Sequence, residues 1–334
     1  MRALAPLGLT MLVLVVLLSA TDVAIGTWFP RFERFSDNFS AAYLEREVHA
    51  LARESPQALF IGDSVLWGYK VRPSQSAVSL LRAGGLPARN LAFQGGSPVN
   101  LYALLRLMLS EGVHPSTVVF NVNQKEFSPA DSAYRTVHPS LNALAGSLFT
   151  PGERGLLDQT GPQRSFEHAL DSEMTAHWKL YALRSDLREA IFDQVDAVHA
   201  ADDFVQTLSG AKARGDAAHR PTAAQFEGTY DLSPLDEQNV SLQFLLKSIR
   251  LLRHERIRSI AILTPTNHAL LHDYIDAPEY RSNLARTRAL LEQSGVQVID
   301  LDRAFAPAEF LDNDHLTIAG NRHLAAVLRN VLAR

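Results

Sequence analysis

Ser64, Asp312 and His315 are the residues whose types and spacing could do nucleophilic chemistry. Ser64 stands in Phe60-Ile-Gly-Asp-Ser-Val65, where a short apolar run ends in a glycine. A serine hydroxyl is a weak nucleophile until a neighbouring base takes its proton. Phe310-Leu-Asp-Asn-Asp-His-Leu-Thr317 offers that base. Asp312, three residues ahead of His315, can reach back to one imidazole nitrogen while the other faces outward. Asp314, beside His315, stays open as the alternative partner. Ser and Asp also cap helices everywhere, and a His beside two acids is common, so neither motif stands alone. Together they describe nucleophile, base and orienting acid.

Such chemistry needs donors for the charge that develops on a carbonyl oxygen. In Asn90-Leu-Ala-Phe-Gln-Gly-Gly96, Gly95 could present a backbone N–H with no side chain in the way. In Phe120-Asn-Val-Asn123, Asn123 could donate through its side-chain amide. Turn glycines and strand-end asparagines are common for other reasons. What singles these out is where they fall along the chain.

Ala58–Gly62, Ala88–Phe93, Thr117–Asn121, Ser259–Thr264 and Val296–Asp300 are short and mostly apolar, and all but Ala88–Phe93 carry β-branched residues. Helical patterns separate them: Ser74–Ala83, Pro98–Glu111 with Ser97 as cap, Glu237–Glu255, Glu279–Ser294 and a last helix over Thr317–Leu332. An amphipathic helix over Ser36–Glu54 precedes the first strand. Strands alternating with helices imply a three-layer α/β/α fold around a doubly wound, parallel, five-stranded sheet, flavodoxin-like in winding. Ligands of such sheets sit outside the carboxyl ends of the strands, where Ser64, Gly95 and Asn123 fall. The stretch 128–236 breaks the pattern and is expected to be a mostly helical insertion or cap. Its best helical patch is Glu173–Val198, with a flexible part near Ala211–Gln225. The organisation expected is a leader over 1–26, an α/β domain in two parts (27–127 and 237–334), and the insertion between them.

At these residues the chain resembles the SGNH (GDSL-type) hydrolase superfamily. Gly62-Asp63-Ser64, Asn90 to Gly95, Asn123 and Asp312-x-x-His315 match its four blocks, over about 58–127 and 258–334. The resemblance implies Ser64 as nucleophile, His315 as base and Asp312 as its orienter. It also implies an oxyanion hole from the Ser64 N–H, the Gly95 N–H and the Asn123 amide. The third block usually reads Gly-x-Asn-Asp; here it is Asn121-Val-Asn123-Gln124. The apolar leader, the Thr264-Pro-Thr-Asn267 turn and the Asp-x-x-His-Leu-Thr-x-x-Gly320 run are similar to membrane-anchored members that work beside polysaccharide or teichoic-acid acyl-transfer machinery. That likeness implies a polytopic membrane acyltransferase as a partner.

Leu4 to Ala20 is almost wholly apolar, with no charge before Asp22. Extended through Ile25 it is long enough to span a bilayer of about 30 Å; a secretory leader cleaved near Ala24 and Gly26 is the rival. Either puts the remainder on the extracytoplasmic, periplasmic side: held at the cell membrane by a single-pass anchor, or secreted if the leader is cleaved. The full chain has 334 residues, 46% hydrophobic and 20% charged, no Cys and a net charge of −4. That excludes a disulfide scaffold, a thiolate metal site and a cysteine nucleophile, and gives no attraction for nucleic acid. His268, His272 and Asp273 have a spacing that could bind a metal from one helix face, yet no further ligand accompanies them, so no metal and no cofactor is expected. The basic run Arg250–Arg258, with Lys247, reads as a solvated helix face. Trp67 and Tyr69 could line an acyl or sugar pocket, or pack in the core.

The expected function is an exported, membrane-tethered serine esterase or O-acyltransferase acting on an acylated small molecule or glycan. The alternative is a non-catalytic glycan-binding or assembly subunit that keeps the fold. As the base must be neutral, activity should rise as pH passes through the ordinary imidazole range, about 6 to 7.

Overall fold

Ala58–Ile61 (β1) has no polar side chain and is buried along its whole length; only a strand covered on both faces can hold such a run. In the computed structural model it pairs in parallel with Ala88–Asn90 (β2) on one side and Thr117–Val122 (β3) on the other. Arg258–Leu263 (β4) and Gln297–Asp300 (β5) continue the sheet beyond β3, also in parallel. The order β2-β1-β3-β4-β5 is the doubly wound arrangement expected from the sequence, with its reversal point between β1 and β3. The structure describes residues 4–28, 41–54, 56–128, 132–157, 221–226, 228–230 and 233–333, with Met174, Trp178 and Tyr181.

Strand side chains alternate between faces. Phe60, Val119, Ile260 and Ile262 form one core with Ala77–Ala83 (α4) and Ile318–Leu332 (α11), through Val78, Leu81, Leu324 and Leu328. Leu59, Ile61, Val118 and Phe120 alternate to the other face and are equally buried. Pro98–Ser110 (α5) and Val240–His254 (α8) pack together there, their contact filled by Tyr102, Phe149 and Phe244. Helix starts follow side-chain caps: Ser97 ahead of Pro98, Asn239 ahead of α8, and Thr317 ahead of α11, each accepting from the N–H three residues on.

The remaining helices are Leu4–Trp28 (α1), Ala41–Glu54 (α2), Ser64–Trp67 (α3), Pro139–Ala145 (α6), Pro151–Leu156 (α7), His268–Ile275 (α9) and Pro278–Gln293 (α10). Chain contacts divide the molecule into Met1–Tyr43 with Arg164–Gly215, and Leu44–Gln163 with Asp216–Arg334. The second unit carries the whole sheet. It also includes α6 and α7, which the sequence placed in the insertion; α6 lies against α5 and buries Leu141 and Ala145. The first unit includes α1, whose side chains are described at Thr10 and at 13–24. Among the described residues no helix is long and apolar enough to cross a membrane. Apart from Met174, Trp178 and Tyr181, the helical patch expected at Glu173–Val198 lies outside the described residues, as do residues 211–220 of the flexible part expected near Ala211–Gln225 and the start of the helix expected from Ser36.

Candidate active site

Where β1 ends, the chain turns sharply through Gly62 and Asp63 into α3. Asn121, at the end of β3, accepts the Asp63 N–H at 3.0 Å and donates to Thr264 Oγ1 at 3.1 Å, tying together the ends of three strands. The fit excludes any side chain at position 62: a Cβ there would lie 1.8 Å from Asn121 Oδ1. Asp63 then caps α3, its Oδ1 accepting the Val65 N–H at 2.8 Å. Ser64 is thus the first helical residue, and its own N–H is not spent within the helix.

The second strand delivers the neighbouring turn. Asn90 accepts the Ala92 N–H and donates to the Leu66 carbonyl, both at 3.0 Å, joining the end of β2 to α3. Phe93 donates to the Gly62 carbonyl at 3.1 Å. Gly96 rests so close to Gly62 that a Cβ would come within 2.2 Å of its carbonyl oxygen. Gly95, exposed and at φ +75°, sits at the corner of that turn.

His315 arrives from the loop ahead of α11. Its Nε2 lies 2.8 Å from Ser64 Oγ, across 251 positions of sequence. Its Nδ1 lies 2.7 and 2.8 Å from the two Asp312 oxygens. Asp312 Oδ1 also accepts the backbone N–H groups of His315 at 2.9 Å and Asp314 at 3.3 Å, so the Asp-x-x-His spacing closes a local turn. Burial alone would push the Asp312 carboxyl up, but hydrogen bonds and charge from His315 outweigh it and hold it below the ordinary carboxylate range. The Thr264-Pro-Thr-Asn267 turn supports the loop from below: Asn267 donates its side-chain amide to the Asp312 carbonyl at 2.9 Å and its N–H to the Asn313 carbonyl at 2.8 Å. Tyr69 packs beside the imidazole with ring centroids 4.3 Å apart, while Trp67 joins the core as a half-buried side chain.

Asn123 does not fit the expectation. It stands at the end of β3 as expected, but its amide nitrogen donates to Asp314 Oδ2 at 2.6 Å and approaches Asp63 Oδ2 at 3.5 Å. The side chain is 1% exposed, and both of its N–H groups face buried carboxylates. Those carboxylates need donors, so the amide is turned inward, away from a substrate oxygen. Within the candidate oxyanion hole this leaves the Ser64 and Gly95 N–H groups, neither of which meets an acceptor among the described residues.

The sequence reading also missed what lies beneath. Lys125 and Glu126 lie in the short helical turn Gln124–Phe127 that follows β3 and are buried with Asp63, Asn123 and Asp314. The Lys125 ammonium pairs with Asp314 Oδ2. Burial opposes the charge on Lys125, but the Asp314 carboxylate dominates and holds the ammonium well above its ordinary range. Burial, then the charge of Asp63, pushes Glu126 well above the usual carboxylate range. Burial likewise raises Asp63. Two adjacent charged residues three positions past a buried strand were the available signal.

Asp312, Asp314 and His315 are the group of potential metal ligands among the described residues. Their oxygens are already engaged, Asp314 Oδ2 by Lys125 and Asn123, and Asp312 by the His315 ring and two backbone N–H groups. The other candidates diverge: His268 turns to Asp302 at 2.8 Å, while exposed His272 pairs with Asp273 at 3.0 Å.

A sequence profile of a protein family matches residues 236–334, less than half of the chain, including Asp312 and His315. No curated protein matches. Among solved structures, the chain is similar to a GDSL-like lipase from Bacteroides thetaiotaomicron, with 10% identity, a TM-score of 0.43, and coverage of 88% of this chain and 98% of that one. It is also similar to a member of the lipolytic protein G-D-S-L family from Veillonella parvula, with 12% identity, a TM-score of 0.41, and coverage of 83% and 98%. The functional reading therefore rests on the site's own geometry.

Proposed function

We propose that this protein is a serine esterase or O-acyltransferase of the SGNH (GDSL-type) superfamily. The observation that carries the reading is the continuous relay from Ser64 Oγ through His315 to Asp312, with 2.8 and 2.7 Å steps. His315 Nε2 takes the Ser64 proton as Oγ bonds to an ester carbonyl carbon, and the Ser64 and Gly95 N–H groups receive the carbonyl oxygen as it gains charge. Asp312 fixes the imidazole tautomer and stabilises the imidazolium. The imidazolium then protonates the departing alkoxide, leaving an acyl group on Ser64. Water or a sugar hydroxyl, deprotonated by the same imidazole, releases it.

The cell-surface glycan is the substrate we favour, with the protein tethered to the membrane on its extracytoplasmic side. The apolar run Leu4 to Ala20, free of charge before Asp22, supports the tether. A polytopic membrane acyltransferase is the partner this placement suggests. The test is turnover of p-nitrophenyl acetate by the full chain, followed by acetyl release from, or transfer to, an envelope polysaccharide. Both activities should vanish in Ser64→Ala. A non-catalytic glycan-binding subunit is the second reading, favoured by the inward-turned Asn123; it calls for glycan binding unchanged by Ser64→Ala and no ester turnover.

A further inference from the structure

Asp314 is the closest carboxylate to the imidazole after Asp312. Its side chain is 0% exposed, and its Oδ1 makes no hydrogen bond and stands 3.6 Å from His315 Nδ1. The other oxygen, Oδ2, is held by the Lys125 ammonium and the Asn123 amide. A free carboxylate at that distance would compete with Asp312 for the imidazole N–H and for its charge. Lys125 occupies the one place that prevents this. Its side chain is 11% exposed, and its ammonium faces the carboxylates of Asp314 and Asp63. Those two residues adjoin His315 and Ser64 in sequence, so one cation lies behind both halves of the relay.

We propose that Lys125 is a positioning residue: it pins Asp314 beneath the site and leaves Asp312 as the sole carboxylate serving the imidazole. The proposal rests on the serine–base reading above. Among the described residues, the groups facing His315 besides Asp314 are Ser64, Asp312 and the Tyr69 ring, with the Lys70 ammonium 5.1 Å from the centre of that ring. Around Lys125, besides Asp314, stand Asp63, Glu126, Tyr134 and Tyr230. Lys125 is thus the buried cation that balances Asp314. A buried ion pair that did not act on the imidazole would behave differently: its loss would lower stability and leave the His315 titration unmoved.

The experiment is NMR titration of the His315 ring in the full chain, with its signal assigned by His315→Gln. Lys125→Met should raise the midpoint by about 1 unit or more, since an unbalanced negative charge then lies within reach of the imidazolium. Lys125→Met with Asp314→Asn removes both charges and should bring the midpoint back toward wild type. A folded Lys125→Met with an unmoved midpoint overturns the proposal, as does a double variant displaced as far as the single one. Should Lys125→Met fail to fold, Asp314→Asn alone decides: the midpoint falls by about 1 unit or more, and an unchanged midpoint overturns the proposal. Failure of the serine reading shows separately, as wild-type protein whose Ser64 resists a fluorophosphonate probe.

Discussion

Replacing Asp312 with Asn removes one negative charge and one hydrogen-bond acceptor from the back of the imidazole while conserving shape. In the native site both carboxylate oxygens lie within 2.8 Å of His315 Nδ1, which fixes the proton on Nδ1 and leaves Nε2 bare toward Ser64. The charge centre sits roughly 4 Å from the ring charge that forms during attack. At an effective dielectric of about 20 that interaction is worth about 4 kcal/mol, a factor of roughly a thousand in rate. The tautomer adds to this: an Asn amide offers N–H to Nδ1, so the ring proton moves to Nε2 and the base is lost. The expected fall in the rate of acylation by p-nitrophenyl acetate is therefore about 10³- to 10⁴-fold. The variant should remain folded, because Asn Oδ1 can still accept the backbone N–H groups of Asp314 and His315. The assay is a stopped-flow burst of p-nitrophenol, with circular dichroism to check folding. A folded Asp312→Asn protein within tenfold of wild type would refute the reasoning and transfer the orienting role to another group.

Gly62→Ala places a Cβ 1.8 Å from Asn121 Oδ1; the nucleophile turn must shift, and probe labelling of Ser64 should slow by about 10²-fold. Phe60→Ala empties a site that is 0% exposed and should cost about 4 kcal/mol in urea unfolding. Partial burial opposes ionisation of Glu153, but hydrogen bonds from the Tyr102 hydroxyl, Thr150 and Lys247 pull its carboxyl down to about 2. Its folded value is thus depressed, so its stabilisation is complete above the ordinary glutamate range and is lost as pH falls from about 4.5 toward 2. Glu153→Gln should lower stability at pH 7 by about 2 kcal/mol and flatten that acid limb in thermal unfolding. Treatment with EDTA should leave Ser64 labelling unchanged, because Asp314 is paired with Lys125 and Asp312 is engaged by the His315 ring and two backbone N–H groups.

The centre of the sheet was legible because β1 and β3 are mostly apolar runs buried on both faces, whereas β2 and β5 at the edges carry Arg89, Asn90, Gln297 and Asp300 and are only partly buried. Boundaries shifted at the edge: Ala88–Phe93 shortened to Ala88–Asn90, although Leu91 and Phe93 still donate to the Phe60 and Gly62 carbonyls. The Asp312–His315 pairing could be read locally, as three-residue spacing closes its own turn. Asn123 was placed at the right strand end, but its orientation was not legible. It depends on Asp314, 191 positions away, and on Lys125, whose pairing with Asp314 no local pattern announces. Asn121, seen in the sequence only as a departure from Gly, proved to be the side chain that fixes the nucleophile turn and demands glycine at 62.

The account turns on Ser64 being a nucleophile activated by His315, and intact-mass spectrometry after exposure to a fluorophosphonate asks this directly. The expected result is one adduct per chain, mapped to Ser64, and abolished in Ser64→Ala and His315→Gln alike. A folded wild-type chain that gains no mass, or gains it at another residue, would contradict it.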